Sequence, residues 1–119
     1  MRMSRVLAVL LVVFVLAGAL YVYAWTDTIE QLFSNVEYLG NDGWYWSNSF
    51  GYFIDLDDNW IYHPEHGYLY CSGYSETGIW IYDYDDASWI WTRDDIYPAC
   101  YSLSEMRWTS FVGGRTVSL

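Results

Sequence analysis

Two stretches of this chain share one pattern and start 20 residues apart. They read WIYHPEHGYLY at residues 60–70 and WIYDYDDASWIW at residues 80–91. Each holds an aromatic–aliphatic–aromatic triplet, a polar turn and a second such triplet, which is the signature of a β-hairpin. Because a single hairpin is not stable by itself, a repeat of this length predicts tandem hairpins that cover one another.

Two weaker copies flank this pair. Residues 97–111 read YPACYSLSEMRWTSF, and residues 44–53 hold a degenerate leading copy. From residue 41 onward, short aromatic runs alternate with Gly, Asn, Asp, Ser or Pro, as strands alternate with turns. We therefore predict an all-β domain of tandem aromatic hairpins over residues 41–119.

The alternation of side chains along each strand predicts two different faces of the sheet. Four aliphatic residues point to one face: Ile61, Leu69, Ile81 and Ile90. Eight aromatic residues point to the other face: Trp60, Tyr62, Tyr68, Tyr70, Trp80, Tyr82, Trp89 and Trp91. Since neither face is polar, we expect both to be at least partly covered. The eight aromatic residues are the candidate ligand-binding set, and the alternative is that their rings fill the space between hairpin layers.

Residues 25–40 have a different period. They read WTDTIEQLFSNVEYLG, and their apolar residues recur at helical spacing. Asp27 and Glu30 fit a capping box with the aspartate as N-cap, and Gly40 is a natural C-terminal stop. This pattern predicts a short amphipathic helix that packs on the sheet or continues the preceding segment.

The first 24 residues predict export of the chain. Two arginines precede an uncharged apolar run over residues 6–24, and the small residues at its end fit a signal peptidase site. The alternative is an uncleaved membrane anchor, because residues 6–25 are long enough to span a bilayer. In both cases the arginines mark the cytoplasmic side, so we expect the remaining chain to be extracellular, periplasmic or at the cell surface.

The exported part is strongly acidic. Beyond residue 24, fifteen acidic residues stand against three arginines and no lysine, which gives a formal net charge of −12. Such a surface repels nucleic acid and anionic lipid, so we expect no nucleic-acid partner and membrane contact only through an uncleaved leader. Cations, neutral sugars or a basic partner remain as ligands, and the acids also keep an aromatic surface soluble.

The chain has two cysteines, Cys71 and Cys100, and both lie in the exported part. Disulfides form outside the reducing cytosol, so we expect these two residues to pair. Closing a loop of this length would stabilise the domain by about 3 kcal/mol.

Both histidines of the chain, His63 and His66, lie in one predicted turn. Pro64 and Gly67 fit the first and last positions of a four-residue hairpin loop. We expect the imidazoles to project from this loop. The alternative is a zinc site, which would need further ligands that the sequence does not place nearby.

Asp55, Asp57 and Asn59 place oxygen atoms at alternate positions, as a calcium loop does. The sixth and twelfth positions of that loop hold Trp60 and His66, where an EF-hand needs glycine and glutamate. The three residues are therefore weak calcium candidates, and the alternative is that they are solvated turn acids with local backbone hydrogen bonds.

The repeat resembles a C-terminal module of exported bacterial proteins of unassigned function. That module reads W-I-Y-H-x-x-H-G-W-L-Y, then W-L-Y-D-x-x-x-G-W-x-W-T, then Y-P-x-x-Y-S. The matching stretches here are residues 60–70, 79–92 and 96–103, about 40 residues together. The chain departs from the pattern at Ala87-Ser88, where a glycine is usual, and at its two cysteines. The resemblance implies tandem hairpins and no particular activity.

The hairpins are also similar, more loosely, to the choline- and glucan-binding repeats of bacterial surface proteins. Those repeats have about the same length, and their aromatic rings cage a quaternary ammonium group or stack on sugar rings. Their glycine–tryptophan opening and Trp-Tyr-Tyr-Phe second strand are not reproduced in this chain. This likeness therefore implies aromatic binding only at the level of architecture.

No motif for nucleophilic, phosphate-binding or dinucleotide-binding chemistry is present, so we expect neither an enzyme nor a cofactor. We expect a non-catalytic cell-surface module that binds an envelope or extracellular glycan by aromatic stacking. The alternative is a structural or protein–protein interaction module of the cell envelope whose aromatic residues form the core. The sequence leaves the oligomeric state open.

Overall fold

The computed structural model describes residues 27–112 and the backbone of residues 115–118. In these ranges one helical turn precedes ten antiparallel strands, and each strand pairs with the next one along the chain. The elements are α1 (Ile29–Leu32), β1 (Val36–Tyr38), β2 (Trp44–Ser47), β3 (Gly51–Asp55), β4 (Trp60–His63), β5 (Gly67–Tyr74), β6 (Gly78–Asp83), β7 (Ser88–Thr92), β8 (Ala99–Ser102), β9 (Arg107–Val112) and β10 (Arg115–Ser118). The all-β prediction is therefore confirmed.

The repeated stretches form the hairpins that their sequences predict. Trp60 lies opposite Tyr70 across β4 and β5, and Trp80 lies opposite Trp91 across β6 and β7. The two weaker copies form the β2–β3 and β8–β9 hairpins. The aromatic triplets therefore pair with each other in both strong copies of the repeat.

The core lies on one face of the sheet, which we call the inner face. The four aliphatic residues predicted to share a face, Ile61, Leu69, Ile81 and Ile90, are all 0% exposed. The rest of the core is contributed by neighbouring strands, by the β2–β3 turn and by the start of the chain, and includes Phe33, Phe50, Phe53, Ile79 and Phe111. The period-two alternation of the sequence thus identifies the buried face correctly.

The sheet curls so that its inner face covers itself. The ring of His66, before β5, lies 3.8 Å from the ring of Phe111 in β9, measured between centroids. In a flat sheet these two strands would be about 19 Å apart, at roughly 4.8 Å for each strand spacing. The carboxylate of Asp94 also accepts hydrogen bonds from the hydroxyls of Ser34 and Ser49, which lie far from it in sequence. These contacts hold the curled sheet together.

The helix is shorter than the prediction for residues 25–40. It is a single turn, after which Asn35 adopts a positive φ of 54° and Val36 begins β1. Thr28 rather than Asp27 is the N-cap, and its N–H donates to Oε1 of Gln31 at 2.8 Å. The physical reason is tertiary, since β-sheet pairing with β2 outweighs the helical period of the sequence.

The predicted export segment and the first two residues of the predicted helix lie outside the described residues. Within the ranges that the structure describes, no helix is long and apolar enough to cross a membrane. The choice between a cleaved leader and an anchor therefore stays a prediction.

The predicted disulfide is not formed. Cys71 and Cys100 are both free and buried, and the Cys100 thiol lies 3.3 Å from Oγ1 of Thr109. The two cysteines belong to β5 and β8, which are separated in the sheet by β6 and β7. Cys71 lies opposite Ile81 and Cys100 lies opposite Thr109, so neither cysteine has the other as its strand neighbour, although both belong to the buried core.

The four turns that follow β2, β4, β6 and β8 contain the same kind of hydrogen bond between a polar side chain and the turn backbone. The last residues of β2, β4, β6 and β8 are buried polar side chains, namely Ser47, His63, Asp83 and Ser102. Each accepts a hydrogen bond from a backbone N–H two or three residues later in its own turn: Phe50 at 3.2 Å, Glu65 at 3.1 Å, Asp85 at 3.1 Å and Glu105 at 3.2 Å. The four turns thus preserve the same bond with three different side chains, and in each the bond pairs a backbone N–H that has no strand partner.

Substitution of Gly73 by alanine should destabilise the fold more than the same change at Gly40. Both glycines have positive φ, so each alanine variant should lose about 1–2 kcal/mol through the left-handed backbone. At Gly73 the new Cβ would also lie 2.6 Å from the carbonyl oxygen of Gly78, whereas at Gly40 nothing lies within 4 Å. Urea unfolding of both variants measures the difference, and equal losses of unfolding free energy would contradict this close approach.

Candidate functional site

The eight predicted aromatic residues share the face opposite the core, which we call the outer face. None of the eight is buried, and Tyr68 is 50% exposed while Trp80 is 38% exposed. Strand pairing joins them into three rows: Tyr62 and Tyr68; Trp60, Tyr70, Tyr82 and Trp89; and Trp80 and Trp91. The outer face is partly covered, as expected: six of the eight residues are half-buried by their neighbours, although a curled single sheet fully encloses only its inner side.

The aromatic surface extends beyond the predicted set. Tyr84 is the most exposed aromatic residue of the described chain, at 63%, and the Trp46–Tyr52 pair continues the surface toward the start of the sheet. Tyr84 follows Trp80 and Tyr82 in the same period of two, so continuing the alternation into the turn would have identified it. Sequence analysis missed Tyr84 because it was counted as part of the turn.

Neighbouring rings on the outer face meet at steep angles. The rings of Trp60 and Tyr70 lie at 69° with centroids 5.4 Å apart, and those of Tyr70 and Trp89 lie at 87° and 6.3 Å. Edge-to-face contacts of this kind are favourable for aromatic pairs. They also mean that the outer face offers crevices between rings rather than one flat platform.

One of these crevices, which we call the Trp60 groove, combines aromatic rings with carboxylates. It is open to solvent and is lined by Leu56, Asp57, Asp58, Trp60, Tyr68 and Tyr84. The ring centroids of Trp60 and Tyr84 are 6.3 Å apart, and the two ring planes form an angle of 74°. The backbone N–H of Tyr84 donates to the carbonyl oxygen of Tyr68 at 3.1 Å. The groove therefore has walls fixed by the sheet and an acidic rim.

The turn before β4 positions that rim. Asp57, Asp58 and Asn59 all have positive φ, at 69°, 55° and 71°, and the N–H of Trp60 donates to the carbonyl oxygen of Asp57 at 3.1 Å. The side chain of Asn59 points inward and donates to the carbonyl oxygen of Cys71 at 2.9 Å. Because Asn59 anchors the turn in the interior, the two aspartates remain exposed beside the groove.

Two of the three weak calcium candidates already use a side-chain oxygen in a hydrogen bond within the protein, and in Asn59 this is Oδ1, which accepts the N–H of Asp27 at 3.0 Å. Asn59 is buried in protein hydrogen bonds, and Oδ1 of Asp55 accepts the N–H of Asp57 at 2.9 Å within the turn. Among the residues described by the structure, no group of three or more His, Cys, Asp or Glu side chains could hold a metal ion. Asp55 therefore acts as a turn residue through a local hydrogen bond.

A second crevice on the outer face, the Trp80 groove, lacks acidic residues. It is lined by Ser72, Trp80, Trp89 and Leu103. Both grooves are lined by aromatic rings, and only the Trp60 groove also contains carboxylates. A comparison of the two therefore shows what the carboxylates contribute.

The expectation that both histidines project from their loop is wrong. His63 and His66 are 5% and 1% exposed, and their rings stack with centroids 4.5 Å apart. Nε2 of His63 donates to the carbonyl oxygen of Phe50 at 2.7 Å, while its Nδ1 accepts the N–H of Glu65 at 3.1 Å. These two bonds require the neutral imidazole with its proton on Nε2.

The environment of His66 also favours a neutral ring. Its Nε2 shares a hydrogen bond with the hydroxyl of Tyr97 at 2.5 Å, and its ring stacks on Phe111 at 9°. Burial lowers the pKa of His66 to about 4, with a smaller contribution from the neighbouring His63. Burial likewise lowers the pKa of His63 and raises the pKa of Tyr97. The histidine pair is therefore part of the core at neutral pH.

Comparisons of the chain with protein-family models, with curated proteins and with solved structures find no match. The resemblance of residues 60–70 to an aromatic hairpin module thus stays a prediction. A function has to be inferred from the chemistry of the outer face and its grooves.

Lowering the pH should destabilise the fold through His66. An imidazole whose pKa is about 4 when folded and about 6.5 when unfolded stabilises the fold above pH 6.5, and this contribution is lost as the pH falls toward 4. The full loss is about 3 kcal/mol for a shift of this size. Urea unfolding between pH 7 and pH 4 measures it, and His66→Gln should flatten the slope. An unchanged slope in the variant would contradict this assignment.

Replacement of Asp83 by asparagine should destabilise the fold less than replacement by alanine at neutral pH. Burial raises the pKa of Asp83, whose Oδ1 accepts the N–H groups of Asp85 and Asp86 while its buried Oδ2 has no partner among the described residues. Asp83→Asn keeps the acceptor and removes the buried charge, whereas Asp83→Ala should lose about 1–3 kcal/mol by leaving the turn N–H groups unpaired. Thermal unfolding at pH 7 compares them, and equal damage by both changes would contradict the proposed role of this hydrogen bond.

Proposed function

We propose that the chain is an exported, non-catalytic surface module that binds a glycan chain in the Trp60 groove. The observation that carries this proposal is the combination of three aromatic walls, Trp60, Tyr68 and Tyr84, with the carboxylates of Asp57 and Asp58. Ligand sites typically pair apolar and aromatic surface with a few placed polar groups. A sugar ring can pack its C–H face on the rings while its hydroxyls donate to the carboxylates.

Exposure of the groove supports binding rather than packing. Large aromatic side chains bury much apolar surface when they pack, so leaving several of them open to water on one face forgoes stabilisation. Contiguous exposed apolar surface of this kind marks interaction sites in soluble proteins. The core of the domain is instead made by the aliphatic and phenylalanine side chains of the inner face.

The ring angles indicate which form of glycan fits. A flat crystalline polysaccharide surface would need coplanar rings, whereas Trp60 and Tyr84 lie at 74° and border a crevice. An individual glycan chain can enter such a crevice and contact both rings. We therefore propose a single chain of an envelope or extracellular glycan as the ligand.

Export is part of this proposal and is based on residues 1–24 of the sequence. The charged and apolar parts of that segment suit either a signal peptide or an anchor. Either arrangement places the Trp60 groove outside the cytoplasm, where envelope and extracellular glycans occur.

A protein-interaction module of the envelope is the second candidate function. The observation that favours it is the extent of the outer face, whose aromatic pairs continue past the groove to Trp46–Tyr52 on one side and Tyr101–Trp108 on the other. A protein partner could cover this whole surface, whereas a glycan chain would use one groove. One version of this alternative places the outer aromatic residues in the core. The exposure of Tyr68 and Trp80 does not agree with that version.

Titration of the purified chain with a panel of soluble oligosaccharides, followed by tryptophan fluorescence, tests the glycan proposal. We expect a saturable response, and we expect Tyr84→Ala to weaken binding about tenfold, which corresponds to roughly 1.4 kcal/mol. Tyr52→Ala is the matched control, because Tyr52 is 54% exposed on the same face and lies outside the groove. Absence of any response, or equal weakening by both variants, would argue for the protein-interaction candidate.

A further inference from the structure

We infer that the Trp60 groove selects a cationic glycan, namely a chain of amino sugars with free ammonium groups, over neutral or acidic glycans. This inference rests on the proposed function and adds to it the charge of the ligand. It follows from the charges around the groove, from the ring geometry and from the contrast with the second groove.

Little positive charge is available to offset the acidic rim. All fifteen acidic residues of the chain lie within residues 27–112, where the basic side chains are those of Arg93 and Arg107. Both arginines form ion pairs within two residues, with Asp95 at 2.8 Å and Glu105 at 2.7 Å. The groove therefore lies in a negative field that attracts cations and repels uronic or phosphorylated sugars.

The rim can bind an ammonium group directly. Asp57 and Asp58 are exposed neighbours in a turn whose backbone is fixed by Asn59 on its inner side. Hydrogen bonds from an ammonium donor to a carboxylate are shorter and stronger than those between neutral groups. An N-acetylated sugar presents a neutral amide at the same position and would lose this contribution.

The walls favour the same kind of ligand. Trp60 and Tyr84 lie nearly perpendicular to each other, so a group that lies in the groove can contact the face of one ring and the edge of the other. The face of tryptophan is the best aromatic partner for a cation. A free amino sugar therefore combines C–H packing on one ring with an attractive charge interaction.

The Trp80 groove allows the contribution of aromatic stacking to be distinguished from the contribution of charge. It is lined by two tryptophans and lacks a carboxylate. If aromatic stacking alone determined the choice of ligand, both grooves would accept neutral sugars equally well. The structure instead confines the acidic rim to one groove, and we place charge selectivity there.

The test compares two tetrasaccharides of the same backbone, a positively charged glucosamine tetramer and its neutral, fully N-acetylated form, at a pH where the free amines are protonated. We expect the glucosamine tetramer to bind at least tenfold more tightly. We expect this preference to fall with added salt, because salt screens exposed charges. Asp57→Asn/Asp58→Asn should abolish the preference while retaining binding of the acetylated form.

Asp42→Asn/Glu76→Gln is the matched control, since it removes the same amount of charge from exposed turns outside the groove. It should retain most of the preference. Equal binding of the two tetramers would overturn the charge inference and leave the glycan proposal standing. Binding of neither tetramer, with no response to the wider panel, would remove the glycan proposal itself. A preference that persists in Asp57→Asn/Asp58→Asn would also overturn the inference, because the charge would then be recognised elsewhere.

Discussion

The curl of a single antiparallel sheet is the constraint on which the rest of the structure depends. A meander of hairpins has no second layer, so it can bury apolar side chains only by closing its inner face on itself. The stacking of His66 on Phe111 and the hydrogen bonds of Asp94 to Ser34 and Ser49 join parts of the chain that a flat sheet would keep apart. The helical turn then adds Phe33, whose ring lies 4.9 Å from that of Phe53, to the same interior.

Because of this curl, the inner and outer faces of the sheet hold different kinds of side chain. Inward positions hold mainly aliphatic and phenylalanine side chains that fill a narrow interior, and the outward positions of β4 to β7 hold Trp and Tyr, which remain at least partly exposed. Tyrosine and tryptophan suit this place because each joins a large apolar ring to a polar atom that can reach water. Any ligand of this domain therefore meets a surface that is already assembled by strand pairing, since neighbouring hairpins fix the spacing of the rings.

The sequence was informative wherever local pattern decides structure. The period of two predicted the hairpins, the buried Ile61 and Leu69, and the shared face of the eight aromatic residues. The predictions were wrong for residues whose position depends on the curl of the sheet. His63 and His66 are buried because their turn packs against a distant strand, and Cys71 and Cys100 lie unpaired in the same interior, with β6 and β7 between their strands. The sequence does not show that Tyr84 lies beside Asp57 and Asp58, because they are brought into one groove only by the pairing of the strands between them.

The repeated turn hydrogen bond has a consequence for how the domain responds to acid. Neighbouring hairpins use His63 and Asp83 for the same hydrogen bond, yet burial lowers the pKa of one and raises the pKa of the other. As the pH falls, the hairpin closed by the histidine loses stability while the one closed by the aspartate gains it. Acidification therefore redistributes stability along the sheet, and hydrogen exchange would follow that redistribution turn by turn.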